Sequence, residues 1–335
     1  MSERRLRGRR QANGRLRAFS LARALAALPI ALLLLLHPGC DDRTNDEPPP
    51  PPPPRIVAVG DLHGDLQATR RALRLAGAID DQDRWIGGAL TVVQVGDILD
   101  RGGEERAILE LFDRLRDEAE AAGGAVHLLN GNHEVLNVAL DLRYVTAQGF
   151  ADFVGAVTVP PDDPQLEGYP PERRPRVVAF RPGGPYARKL ADQPFVLQID
   201  GNVFVHGGVR PRDLDYGLAE LGEEMRLWML GEAPRPGWSY GEDNLFWSRD
   251  YSRDVDSTDC AALGEVLERM GALRMIVGHT VHDSITSYCD GRVWCIDTGM
   301  ARYYQGETMV LEIGRQGVRT LRSPPEPPPE PPGRP

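Results

Sequence analysis

The chain runs to 335 residues, 41% of them hydrophobic and 26% charged, with a formal net charge of −10. That length holds one large α/β domain or two small ones, and the acidity argues against nucleic-acid binding. It does not exclude phosphorylated substrates, because bound metal ions can dominate the field of a site.

In chain order, residues 1–23 carry eight arginines and one acid, and the apolar run Ala24–Leu36 follows. A basic segment, a short apolar stretch and a break read as a secretory signal. The run falls short of the roughly 20 residues that a membrane span needs. HPGC at 37–40 resembles a bacterial lipoprotein cleavage site, with Cys40 as the lipidated N-terminus that meets the membrane. His37 stands where such sites usually carry an aliphatic residue, so plain secretory cleavage and an uncleaved anchor are the alternatives. All three put the domain outside the cytoplasm, as a periplasmic or cell-envelope protein. Pro48–Pro54 is a semi-rigid extended spacer, and the proline-rich end from Ser323 reads as disordered. The expected organisation is a signal at 1–39, a linker at 40–54, one folded domain at 55–321 and a tail at 322–335. Without residues 1–39 the net charge moves from −10 to −17, since eight arginines and one glutamate leave.

Within 55–321, short apolar runs end at glycines: RIVAVG (55–60), TVVQVG (91–96), AVHLLNG (125–131), NVFVHGG (202–208) and RMIVGH (274–279). Each reads as a strand buried on both faces. Leu66–Ala76, Glu104–Ala122 and Leu263–Met270 show helical periodicity, clearest in Ile108, Leu111, Phe112 and Leu115. The alternation predicts an α/β layered fold.

Polar residues follow each strand: Asp61 and His63, then Asp97, Asp100 and Arg101, then Asn132, His133 and Glu134, then His206, then His279. Alone, GDLHGD is an ordinary turn, GNHE a helix cap and HGG carries no information. Together, in order and each closing an apolar run, they aim at one place, because α/β sheets bind ligands beyond the carboxyl ends of their strands. Asp61, His63, Asp97, Asn132, His206 and His279 form a metal constellation. Oxygen and imidazole donors without thiolate suit Mn, Fe or Zn, with Mn favoured. Six donors suit two divalent ions sharing a carboxylate, which together activate a bridging water and clamp a phosphoryl group. His133, adjacent to Asn132, is left free as a general acid with Asp100 to orient its ring. Arg101 offers a fork of donors to phosphate. His127, inside a strand, reads as a satisfied core residue, and His282 as a solvated loop residue. Asp290-Gly291 reads as a hairpin turn that sets Cys289 opposite Arg292 and Cys295 opposite Thr286. Those two are then not facing partners, and the pairing of Cys260, Cys289 and Cys295 stays open.

The set GDLHGD, GDILDRGG, GNHE, HGG and GHT resembles the calcineurin-like metallophosphoesterases, and DRG with GNHE their phosphoprotein phosphatase branch. LLNGNHEVLN, RYV and FVHGGV look like the bacterial Shewanella-like protein phosphatases. The resemblance covers roughly residues 55–315 and implies a four-layer α/β/β/α sandwich with two mixed sheets, to which 290–301 adds late strands. It implies Asp61, His63 and Asp97 on a first ion, and Asp97, Asn132, His206 and His279 on a second. It also implies His133 with Asp100 as proton donor, and Arg101 with Arg249 of NLFWSRDY on the phosphate. The implied activity is phosphomonoester hydrolysis on a phosphorylated protein or peptide, at Ser/Thr or Tyr. The rivals are a diadenosine tetraphosphatase-like nucleotide hydrolase, with Tyr144, Tyr169 or Trp247 stacking on a base, and a silent binding lipoprotein. The chain departs from eukaryotic members in reading NGNHE for RGNHE and in lacking their SAPNYC loop. Residues 155–190, rich in Pro, Gly and Arg, read as an insertion at the site's mouth or a solvated connection.

Overall fold

The computed structural model describes residues 55–323. The signal segment, Cys40, the proline linker and the tail beyond Ser323 lie outside the described residues. The strands, in chain order, are β1 (Ile56–Val59), β2 (Thr91–Gln94), β3 (Ala125–Leu128), β4 (Val196–Ile199) and β5 (Asn202–Val205). They continue with β6 (Arg274–Val277), β7 (Thr286–Tyr288), β8 (Val293–Cys295), β9 (Met309–Gly314) and β10 (Gly317–Arg322). The helices begin with α1 (Leu66–Leu75), α2 (Glu105–Ala121), α3 (Asn132–Val138), α4 (Ala147–Asp152) and α5 (Arg174–Phe180). After these come α6 (Pro185–Ala191), α7 (Pro211–Tyr216), α8 (Leu218–Met229) and α9 (Ser257–Met270).

The strands build two sheets of mixed direction, in the orders β10-β9-β1-β2-β3 and β4-β5-β6-β8-β7. In each the central pairs are parallel: β1 with β2 and β2 with β3, then β5 with β6 and β6 with β8. Side-chain alternation divides the core. Ile56 and Ala58 of β1 join Phe204 of β5 and Ile276 of β6 in a cluster between the sheets. The intervening Val57, Val59, Val203, Val205, Met275 and Val277 face outward into the cluster shared with the helices, which includes Ile108, Phe112 and Leu115. Strands with both faces covered are why the sequence shows unbroken apolar runs, and helix, sheet, sheet and helix give the four layers.

Some expectations change. His127 is half-buried on edge strand β3, not a core residue, because Val126 and Leu128 take that strand's inward positions. The segment 155–190 divides: residues 155–174 are mostly exposed, as a solvated connection with partial helix would be, whereas Pro175 to Phe180 of α5 are all buried. The β7–β8 register is as expected, Thr286 pairing with Cys295. The disulfide, however, joins Cys260 of α9 to Cys289 at the hairpin tip, and Cys295 is a free, buried thiol. That bond ties a helix to a hairpin across a separation of 29 residues, a loop whose closure stabilises by about 3.6 kcal/mol in chain-entropy terms. Cys260→Ser is expected to lower the urea midpoint accordingly, and dithiothreitol to do the same to the parent; unchanged midpoints in both would contradict the pairing.

Candidate metal centre

Strands β1, β2, β3, β5 and β6 all deliver their following loops to one edge, where the polar residues meet. Two tight groups form, His63 with Asp97 and His133, and Asp97 with His206 and His279. In each group the donor atoms lie within 4.8 Å of one another, and Asp97 belongs to both. Asp97 Oδ2 stands 3.2 Å from His206 Nε2 and 3.9 Å from both His63 Nε2 and His133 Nε2. Asp61 Oδ2 adds a carboxylate 3.9 Å from His63 Nε2, and Asn132 Oδ1 lies 2.9 Å from His206 Nε2.

The imidazoles are aimed by what their outer nitrogens touch. His63 Nδ1 lies 3.1 Å from the Leu99 carbonyl, His206 Nδ1 3.0 Å from that of Val95, and His279 Nε2 3.1 Å from that of Trp247. A carbonyl only accepts, so each of these nitrogens carries the proton and the opposite nitrogen turns its lone pair inward. The loops are locked by Glu134, which accepts N–H groups from Gly131, Asp97, Ile98 and Leu99. GNHE is therefore both the start of α3 and part of the centre. A Cβ on Gly131 would come within 2.3 Å of Asp97 Oδ1, and one on Gly278 within 2.5 Å of Asp61 Oδ1. Only glycine admits this approach. Asp65, the third polar residue of GDLHGD, is not turned inward: it caps α1 by accepting from Ala68 N and holds Arg302 N at 2.7 Å.

The electrostatics suit cations. Burial, then Asp297 and Asp97, raises the Asp61 carboxyl well above its ordinary value. Burial would raise Asp97 too, but His206, His133 and His63 outweigh it and hold that carboxyl well below the carboxylate range. Burial, reinforced by His133, pushes His63 down to about 3, and burial with His206 and Arg249 lowers His279 strongly. His63 and His279 are thereby left as neutral imidazoles, the donor state that metal binding needs, and a cation would relieve the crowding that raises Asp61, so the residues present fit divalent ions.

His133 is treated differently. Burial opposes its charge, but Asp97 and Asp100 prevail and raise it above the ordinary imidazole value. Its Nδ1 lies 2.6 Å from Asp100 Oδ2, and Asn132, its chain neighbour, faces His206 instead. Arg101 is stacked among Tyr144, Tyr303 and Tyr304, with its guanidinium carbon 4.7, 4.8 and 5.3 Å from the ring centroids. Arg249 is half-buried beside Trp247, and burial, then Arg253, lowers its pKa. The Nε atoms of both arginines are buried without a partner. Of the three candidate stacking rings, Tyr144 packs on Arg101 and Trp247 on His279, whereas Tyr169 belongs to a separate small cluster with Leu166. His282 is half-buried, its backbone N–H bonded to Asp297 O.

Sequence reasoning missed Asp297, buried at the end of β8 with Oδ2 unpartnered. Burial pushes its carboxyl up to about 6, with Asp97 adding to the rise. The signal was available: CIDTG repeats the pattern of an apolar run followed by an acid. Asn130, where eukaryotic members carry arginine, donates to the carbonyls of Leu190 and Gln193 and so anchors the end of α6.

Comparison with known proteins places this geometry. Shewanella-like protein phosphatase 2 of Arabidopsis thaliana is 40% identical over 306 residues, covering 81% of this chain and 78% of the relative. Shewanella-like protein phosphatase 1 of Plasmodium berghei is 28% identical, covering 80% and 74%. Among solved structures, a cold-active protein-tyrosine phosphatase of a psychrophilic Shewanella superimposes with a TM-score of 0.64 at 22% identity, covering 81% of this chain and 82% of that one. That likeness shows the shared fold. The calcineurin-like phosphoesterase family matches residues 54–283, a span that contains every site residue from Asp61 to His279. With that match and an identity of 40% across 81% of the chain, this protein belongs to the calcineurin-like phosphoesterase family.

Proposed function

We propose that the chain removes phosphate from phosphorylated proteins or peptides, at Ser/Thr or Tyr, as an exported manganese-dependent phosphatase. The observation that carries this reading is the His133–Asp100 pair, held at 2.6 Å beside a carboxylate shared by two imidazole groups. A binding module needs no such pair, which weighs against a silent scaffold.

Asp61, His63 and Asp97 would hold one divalent ion, and Asp97, Asn132, His206 and His279 the other. Two such ions supply a lowered pKa for bound water and charge that balances the phosphoryl oxygens. Arg101 and Arg249, each with a free buried Nε, orient the phosphate. With Nδ1 engaged by Asp100, His133 presents Nε2 to the centre, and its raised pKa favours a proton there. That proton goes to the leaving oxygen, so serine or tyrosine departs as a neutral hydroxyl. Oxygen and imidazole donors suit Mn, Fe or Zn, and manganese is the metal this reading takes first.

The Cys260–Cys289 bond supports export, since disulfides persist in oxidising compartments. The signal at 1–39, lipidation at Cys40, the linker to residue 54 and the domain at 55–321 remain part of this proposal. Nucleotide hydrolysis is the second reading, favoured by Tyr303, which is 56% exposed beside Arg101 and could stack on a base.

The test is turnover of a phosphopeptide panel and of diadenosine tetraphosphate by the purified chain with added manganese. Phosphopeptide hydrolysis is expected, abolished by a chelator and by Asp97→Asn; turnover of the dinucleotide alone would move the assignment to nucleotides. Arg249→Met is expected to raise KM about 10-fold, the loss of one charged hydrogen-bonding partner for phosphate. An unchanged KM would return Arg249 to a packing role.

A further inference from the structure

The largest fully buried side chain among the described residues is Arg176 of α5, and no motif contains it. All five of its N–H donors are used. Nε donates to Asn137 Oδ1 at 2.9 Å, and Nη1 donates to Glu105 Oε2 and, at 3.0 Å, to the Gly149 carbonyl. Nη2 donates to Asp100 Oδ1 and to Glu105 Oε1, both at 3.2 Å. The guanidinium packs against the rings of Phe153 and Phe180, its carbon 5.0 Å from each centroid. A charged group taken fully out of water needs this completeness.

The contacts converge on Asp100. Its Oδ1 is saturated by Arg176 and by Asn137 Nδ2 at 2.9 Å, which leaves Oδ2 to His133. Asp100 N–H donates to Glu105 Oε1 at 2.7 Å, and Asn137 Nδ2 also donates to the His133 carbonyl at 2.9 Å. Asp100 itself has φ +69, a left-handed conformation that needs such external fixing. Two buried carboxylates, Asp100 and Glu105, thus face one another with a single guanidinium between them. Lysine, with a point charge and no planar fork, cannot bond both while reaching Asn137.

We propose that Arg176 is a positioning residue for the hydrolytic step: it clamps Asp100 in the one orientation that leaves Oδ2 to aim the His133 ring at the leaving oxygen. This rests on the proposed role of His133 as proton donor. The segment 155–190 then serves the chemistry from behind the centre, by carrying α5 and its guanidinium inward, and it does not touch substrate to do so.

The test is a leaving-group series on the full chain with manganese, from nitrophenyl phosphate to a phosphoserine peptide. A nitrophenolate departs with little help, whereas a serine alkoxide needs its proton. His133→Ala sets the reference. Arg176→Met is expected to lower kcat about 100-fold on the phosphoserine peptide and less than about 10-fold on nitrophenyl phosphate, with KM within about twofold. Added to His133→Ala, it should cost less than about threefold more, since the two act as a unit. Should Arg176→Met fail to fold, Arg176→Lys retains charge, loses the fork, and is expected to show the same leaving-group bias at smaller size. A uniform loss across leaving groups, or a full further loss in the His133→Ala background, would overturn the proposal and leave Arg176 a structural staple. No leaving-group bias in His133→Ala itself would instead sink the proton-donor reading, and this inference with it.

Discussion

The structure depends on one arrangement, a buried carboxylate answered from several sides at once. Asp97 is 2% exposed and stands within 3.9 Å of three imidazole nitrogens. Burial alone would neutralise such a group; the imidazoles keep it charged. Around that charge the backbone is forced into close quarters. Gly131 and Gly278 are needed because a side chain there would enter the carboxylates. His63, Asp97, Asp100, Arg101 and His279 all adopt positive φ, strain that persists only where the surroundings over-determine it. Glu134 supplies much of that determination by gathering four backbone N–H groups from two separate loops.

The sandwich makes this possible because its central strands are parallel and covered on both faces. Parallel neighbours send their following loops to the same edge, so residues far apart in the chain converge without long excursions. The same layering gives the centre a dry back wall, where Asp100, Asn137, Glu105 and Arg176 form a closed set of hydrogen bonds with no exposed member. Burial pushes Glu105 up to about 7 despite Arg176, which marks how little solvent reaches that wall.

Much of this was legible in the sequence, for physical reasons that also explain what was not. Asp61, His63, Asp97, Asn132, His206 and His279 could be found because each closes an apolar run, and a strand followed by glycine and a polar residue is a local pattern. That two ions would share a carboxylate, and that His133 stands apart from Asn132, followed from donor counting and chain adjacency; that the shared carboxylate is Asp97 came from the family resemblance. Asp297 obeys the same grammar after a shorter strand, and was passed over. Arg176 has no local grammar: its meaning comes from Asp100 and Glu105, reached only when α5 folds inward. Cys260 and Cys289 sit on a helix and a hairpin tip, and spacing alone does not pair them. The rings of Tyr303 and Tyr304 meet Arg101 from far along the chain, again a contact made by tertiary structure.

Metal content measures the central claim most directly. Elemental analysis of the purified chain after manganese loading and gel filtration should find two equivalents in the parent. Asp61→Asn should retain close to one, having lost a donor from one side only, and Asp97→Asn should retain neither, because its carboxylate serves both. Two equivalents surviving in Asp97→Asn, or one in the parent, would contradict a centre built on a shared carboxylate.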